Sequence, residues 1–275
     1  MRRLFGTLVI AFLYALPLSA ASVDGPAIHS STTGSGKATV IFIHGWTCDS
    51  SSWAAQVPAF AKKYRVVTVD LPGHGKSAGP TDGKFSMDLF ARAVEAVREE
   101  AKADKVVLVG HSMGAPVIRQ YARLYPQHVA ALVAVDGPLD LRGFAPVQAG
   151  QGPPPMIGPE GLKAREKMIR GMFTKDTPPA LQEQILKMML SAPEATANGA
   201  MASIFDPSLR KADVTSAPTL AIYAGTNQLP DVAKTKEVLP NYEGTQIADT
   251  GHFVMMEKPD EFNRLLTGFL DKIKF

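Results

Sequence analysis

Short apolar runs rich in β-branched residues recur along the chain, separated by longer stretches of helical periodicity. The runs fall at 38–43, 64–69, 105–109, 131–135 and 219–224, with a shorter last one at 246–248. Helical patterns intervene at 52–62, 85–102 and 113–124. A closing one at 260–273 sets Phe262, Leu265, Leu266, Phe269 and Leu270 on one face. A strand that is apolar along its whole length must be covered on both faces, and alternating helices supply the cover. The pattern predicts an α/β chain with a mostly parallel central sheet and helices on both faces. Ligands of such sheets bind beyond the carboxyl ends of the strands.

The alternation breaks between Gly137 and Ala217. A Gly- and Pro-rich run at 148–155 precedes helical patterns at 160–173, 179–190 and 195–204. This predicts a helical cap over 138–213, inserted into a core made of 22–137 and 214–275. The segment contains Met156, Met168, Met172, Met188, Met189 and Met201. Each reads as filler between cap helices. The sharper alternative is a compliant lining over an apolar substrate, because a thioether side chain adapts its shape.

The N-terminus reads Met1-Arg2-Arg3, an apolar run from Leu4 to Leu18, and small residues Ser19, Ala20, Ala21 and Ser22. A basic start, an apolar centre too short to span a bilayer and a small-residue end predict a signal peptide over 1–21, cut after Ala20 or Ala21. The expected destination is the periplasm or the outside, with no membrane span after cleavage; a retained anchor is the alternative. The net charge of +3 then has little meaning: taking Arg2 and Arg3 from the 29 basic residues leaves 27 against 26 acidic ones. That balance gives no support to nucleic-acid binding. The lone cysteine, Cys48, excludes an intrachain disulfide and reads as a small buried hydrophobe. The six histidines are scattered without metal-ligand spacing, so neither a metal nor a cofactor is expected.

Chemistry enters at Gly110-His111-Ser112-Met113-Gly114, which follows the run 105–109 and opens the helical pattern at Ala115. A serine hydroxyl needs a general base and a rigid, exposed position to act as a nucleophile. A tight strand-to-helix turn flanked by glycines supplies that position. With this motif stand His44-Gly45-Trp46 after the first strong strand and Asp70-Leu71-Pro72-Gly73-His74-Gly75-Lys76-Ser77 after the next. Gly251-His252-Phe253 with Glu257-Lys258-Pro259 lies near the C-terminus. On these stretches the chain resembles the capped, serine-nucleophile branch of the α/β-hydrolase superfamily over its length after the signal segment.

The resemblance implies Ser112 as nucleophile, His252 as general base, and an oxyanion hole from the backbone N–H groups of Trp46 and Met113. His44, His74 and His111 read as structural. The family usually carries its acid beyond the strand ending at Ala224, but here that position is held by Gln228 in Gly225-Thr226-Asn227-Gln228-Leu229-Pro230-Asp231. Asp136, at the end of the preceding strand where some branches place the acid, and Asp231, farther along the usual loop, are the two candidates; a site without an acid is the remaining alternative. A serine rather than an aspartate nucleophile points to acyl transfer, and the expected reaction is hydrolysis of an apolar carboxylic ester. Lactone, amide or carbon–carbon cleavage stand as alternatives within the fold. A non-catalytic ligand-binding protein on a hydrolase scaffold is the alternative of another class.

Overall fold

A computed structural model describes residues 21–143 and 155–275. Apart from Ala21 and Pro155, the expected signal peptide and the run 148–155 lie outside the described residues.

Seven strands form one sheet in the order β1-β3-β2-β4-β5-β6-β7. They are β1 (Ser30–Thr33), β2 (Thr39–Ile43), β3 (Arg65–Val69), β4 (Val106–His111), β5 (Val129–Val135), β6 (Thr219–Ala224) and β7 (Tyr242–Ile247). Strands β2 to β7 pair in parallel, and β1 pairs antiparallel with β3. The predicted parallel sheet is thus present, with one strand added. β1 reads Ser-Ser-Thr-Thr and is largely exposed at the sheet edge, so no apolar run marks it. β7 starts at Tyr242 rather than 246, because an edge strand with Glu243, Gly244 and Gln246 exposed or half-exposed carries little apolar signal.

The helices are α1 (Gln56–Phe60), α2 (Met87–Glu100), α3 (Gly114–Leu124), α4 (Gly158–Arg170), α5 (Pro179–Leu190), α6 (Glu194–Ile204), α7 (Val232–Lys236), α8 (Val254–Glu257) and α9 (Pro259–Leu270). The helix expected over 52–62 is split into a 3₁₀ turn at Ser50–Trp53, capped by the Asp49 side chain, and the short α1. Helix α2 starts where Ser86 caps it, its side chain accepting from Leu89 N, and α9 starts with Pro259 in its first turn.

The central strands β2, β4 and β6 are buried at every position. Trp53 is fully buried and packs on Phe42, ring centres 4.9 Å apart, and on Phe262 at 6.2 Å, joining the β2 face to α9. Burying side chains of this size stabilises the fold by about 1.5–3 kcal/mol each. Helices α4, α5 and α6 intervene between β5 and β6 in the chain. The segment returning from them is clamped to α3, where Arg123 holds the Asp213 carboxylate at 3.0 and 3.1 Å. The inserted methionines divide: Met188 and Met189 are buried, whereas Met168 is exposed. Met188 Sδ accepts from the Ser51 and Ser52 hydroxyls at 3.5 and 3.4 Å, so this thioether joins α5 to the 3₁₀ turn after β2. Cys48 is buried, as a small hydrophobe would be, and burial pushes its thiol up to about 12.

Candidate active site

The segment between β4 and α3 forces Ser112 into the left-handed region at φ 51°. A non-glycine residue there carries about 1–2 kcal/mol of backbone strain. The glycines on either side make the turn possible. A Cβ on Gly110 would collide with the Gly114 carbonyl, and one on Gly114 would lie 2.7 Å from the Ile43 carbonyl oxygen. Gly137, after β5, is equally constrained, since its Cβ would collide with the Ser112 carbonyl. The loop after β2 also reaches this serine: a Cβ on Gly45 would come within 3.1 Å of Ser112 Cβ. Ser112 N donates to Val135 O at 2.8 Å, tying the turn to the end of β5.

Asp136 follows Val135 with φ 45°, and its N–H donates to Ile222 O at 2.8 Å. Its carboxylate is fully buried and has several donors. His252 Nδ1 stands 2.6 Å from Oδ2, Ala224 N 2.7 Å from Oδ1, and Asn227 Nδ2 2.7 and 2.8 Å from the two oxygens. Burial alone would raise this carboxyl, but the hydrogen bonds from His252, Ala224 N and Asn227, with the imidazole beside it, hold it below the usual carboxylate range. Asp136 is therefore ionised at neutral pH. His252 Nδ1–H donates to it, which leaves Nε2 as the imidazole's free acceptor.

Of the two acid candidates, the structure brings Asp136 to His252. Asp231 is exposed and caps α7, its side chain accepting from Lys234 N at 3.2 Å. Gln228 is exposed and lines, with Asn227 and Asp136, a cavity of about 430 Å³. Sequence reasoning singled out Gln228 and missed its neighbour. Asn227 is the amide that reaches Asp136, and only the pairing of β5 with β6 reveals it.

The other histidines have structural partners. His44 Nε2 accepts from Leu71 N at 2.9 Å and Nδ1 donates to Gly45 O at 2.8 Å, so both ring nitrogens are occupied and burial lowers its pKa. His111 Nε2 donates to His252 O at 2.9 Å, and its ring lies 4.7 Å from that of His252. Burial, with His252 nearby, brings His111 to about 3, so it is a neutral brace at neutral pH. Burial and the neighbouring His44 likewise bring His74 to about 3.

Trp46 and Met113 are both buried beside the Ser112 turn. Among the described residues neither backbone N–H has a protein acceptor. The Trp46 indole Nε1 donates to Ala197 O of α6 at 2.8 Å, which ties the loop after β2 to the inserted helices. Thr47 follows with φ 54°, an unusual conformation for a β-branched residue. Among the described residues no group of three His, Cys, Asp or Glu is placed to hold a metal ion, and no helix is long and apolar enough to cross a membrane.

Residues 38–156 match the family model for the alpha/beta hydrolase fold. The chain is 30% identical over 257 residues to the dihydrolipoyllysine-residue acetyltransferase component of the acetoin cleaving system of Cupriavidus necator, covering 90% of this chain and 67% of that protein. It is 29% identical over 267 residues to a 2-hydroxy-6-oxononadienedioate/2-hydroxy-6-oxononatrienedioate hydrolase of Klebsiella pneumoniae, covering 88% of this chain and 90% of that one. A solved structure of an N-acyl homoserine lactone degrading enzyme matches with a TM-score of 0.75 at 25% identity, over 91% of this chain and 100% of the other. With its seven-stranded sheet and these relatives, the chain belongs to the α/β-hydrolase fold family and is a hydrolase by class.

Proposed function

We propose that the protein hydrolyses carboxylic esters through an acyl-enzyme formed on Ser112. The observation that carries this reading is the 2.6 Å contact of His252 Nδ1 with a buried, ionised Asp136, beside a turn that holds Ser112 at φ 51°. With Nδ1–H committed to Asp136, His252 Nε2 takes the Ser112 proton as Oγ attacks the carbonyl carbon. The Trp46 and Met113 N–H groups receive the negative charge that develops on the carbonyl oxygen. The imidazolium is stabilised by Asp136 and returns its proton to the departing alcohol. Water then attacks the acyl-enzyme, giving a proton to His252, and the acid leaves as Ser112 regains its own. Asn227 and Ala224 N keep Asp136 ionised throughout.

Helices α4 to α6 act as a cap in this reading, and the group they cover is expected to be an apolar acyl or alcohol group. A lactone is a cyclic ester and asks nothing different of Ser112, so the lactone-degrading neighbour makes lactones a second substrate class to assay. The test uses p-nitrophenyl esters and a fluorophosphonate probe. The wild type is expected to turn over the esters and be labelled on Ser112, and Ser112→Ala to do neither. Labelling that survives in Ser112→Ala sinks the assignment, and binding of esters without turnover by the wild type favours a non-catalytic role.

We also propose export to the periplasm or the outside. Ala21 O accepts from Ile28 N at 2.7 Å and Ser22 bridges Ala27, contacts that a cut after Ala20 leaves intact. N-terminal sequencing of protein from culture fractions should read Ala21 or Ser22 first; an intact Met1 contradicts cleavage.

A further inference from the structure

Glu257, at the end of α8, is turned back onto the loop that carries His252. Its Oε2 accepts from Gly251 N at 3.0 Å and its Oε1 from Phe253 N at 3.3 Å, so one carboxylate holds the main chain on both sides of the histidine. Oε2 also accepts from the hydroxyl of Thr177 at 3.1 Å. Thr177 is buried and lies in the connection between α4 and α5. A second link runs in parallel: His252 N donates to Met172 O at 3.0 Å, from the turn that ends α4. The fit is close, because a Cβ on Gly251 would lie 2.6 Å from Met172 O and 3.1 Å from Glu257 Oε1. The acid–base pair itself uses neither Glu257 nor Thr177.

We propose that Glu257 and Thr177 form a positioning latch through which the helices inserted between β5 and β6 fix His252 over Ser112. Neither residue touches the reacting atoms. Glu257 sets the main-chain path at 251–253, and Thr177 ties that path to the inserted helices, so a displaced α4–α5 connection carries His252 out of line. Misplacement of a catalytic group by about 1 Å lowers the rate by about a hundredfold. The latch acts on the chemical step rather than on substrate affinity. It rests on the assignment of His252 as the base.

The test measures kcat and KM on a p-nitrophenyl ester, the rate of fluorophosphonate labelling, and Tm, for Glu257→Gln, Thr177→Val, Thr177→Ser and the double variant Thr177→Val/Glu257→Gln. Glu257→Gln keeps one acceptor oxygen but turns an NH₂ group toward a backbone N–H. The expected result is a fall of about tenfold in kcat and labelling rate with KM within about twofold, the signature of an interaction used only in the transition state. Thr177→Val should lose less and Thr177→Ser should recover, since it keeps the hydroxyl that donates to Glu257. The double variant should be no slower than Glu257→Gln, because coupled residues are not additive. Unchanged kcat in Glu257→Gln, or full additivity in the double variant, overturns the latch while the labelled wild type leaves the hydrolase reading in place. A wild type that is not labelled on Ser112 removes both. If Glu257→Gln does not fold, the contrast between Thr177→Val and Thr177→Ser decides: equal kcat and labelling rates overturn the latch, and a slower Thr177→Val supports it.

Discussion

Asn227 Nδ2 stands 2.7 Å from one carboxylate oxygen of Asp136 and 2.8 Å from the other. The loop after β6 thus contributes an amide to an acid carried by β5. Hydrogen bonds to a charged group contribute about 1.5–3 kcal/mol each, so Asn227→Ala should lower kcat on a p-nitrophenyl ester by about ten- to a hundredfold. The exposed Gln228 has no such partner, and Gln228→Ala should leave kcat within about twofold of the wild type, inside the range of ordinary surface changes.

Asp136→Asn keeps the size of the side chain and removes its charge. The amide would face the Asn227 and Ala224 donors with one acceptor instead of two, and would no longer stabilise the imidazolium. A fall of about 10³ to 10⁴ in kcat is expected, as for loss of the acid in a serine triad. Asp231→Ala is the contrast. It removes the α7 cap and should cost about 0.5–2 kcal/mol of stability at most, with kcat retained. Parallel kcat and Tm measurements on the pair separate the two candidates, and an inactive Asp231→Ala would reverse the choice.

Gly137→Ala places a methyl group against the Ser112 carbonyl. Overpacking of this kind costs about 1–3 kcal/mol, and here the strain falls on the turn that presents Ser112, so both Tm and labelling rate should drop. Gly268→Ala should act in the opposite sense. It lies exposed in α9 with nothing within 4 Å of an added Cβ, and alanine in a helix interior is worth about 0.5–1 kcal/mol over glycine. Its Tm should rise with activity unchanged.

Acid should destabilise the fold before it protonates Asp136. His74 and His111 are brought to about 3 by burial, each with another histidine as the next contribution, while in the unfolded chain they titrate near 6.5. Between those values the unfolded state binds more protons, so stability is complete above pH 6.5 and declines as pH falls toward 3. Asp136 has the same sign at lower pH: its depressed value adds stability above the ordinary carboxylate range that is lost on further acidification. Tm should fall steadily from pH 6.5 to 4. His74→Asn, which keeps a donor for Pro72 O, should show a shallower slope. Parallel Tm profiles for wild type and variant would contradict this account.

Most of the architecture was legible because buried parallel strands announce themselves by unbroken apolar runs. β4 reads Val-Val-Leu-Val before the glycine and is buried throughout. β1 was illegible for the converse reason: a polar edge strand takes its place from hydrogen bonds to β3, not from its own side chains. At the site, Ser112 and His252 stand out locally through the glycines and the loop around them. The choice between Asp136 and Asp231 did not, because it depends on which strand ends meet across the sheet. Asn227, Glu257 and Thr177 act on the site from 91, 6 and 80 positions away from their partners. Of these separations only the short one falls within reach of a local motif.

Gly110 and His111 of β4 pair in register with Ala134 and Val135 of β5, so Ser112 and Asp136 each follow directly on a matched pair of neighbouring strands. Their separation is fixed by the sheet's own ladder, closed by the bond from Ser112 N to Val135 O. With Asp136 as the proposed acid, the connection after β6 contributes to the site the amide at Asn227. Residues 228–230 are therefore the natural place to graft foreign sequence or to randomise in a library, with the α7 cap at Asp231 kept. Changes there alter the rim of the 430 Å³ cavity while the spacing of the reactive groups stays locked in the main chain.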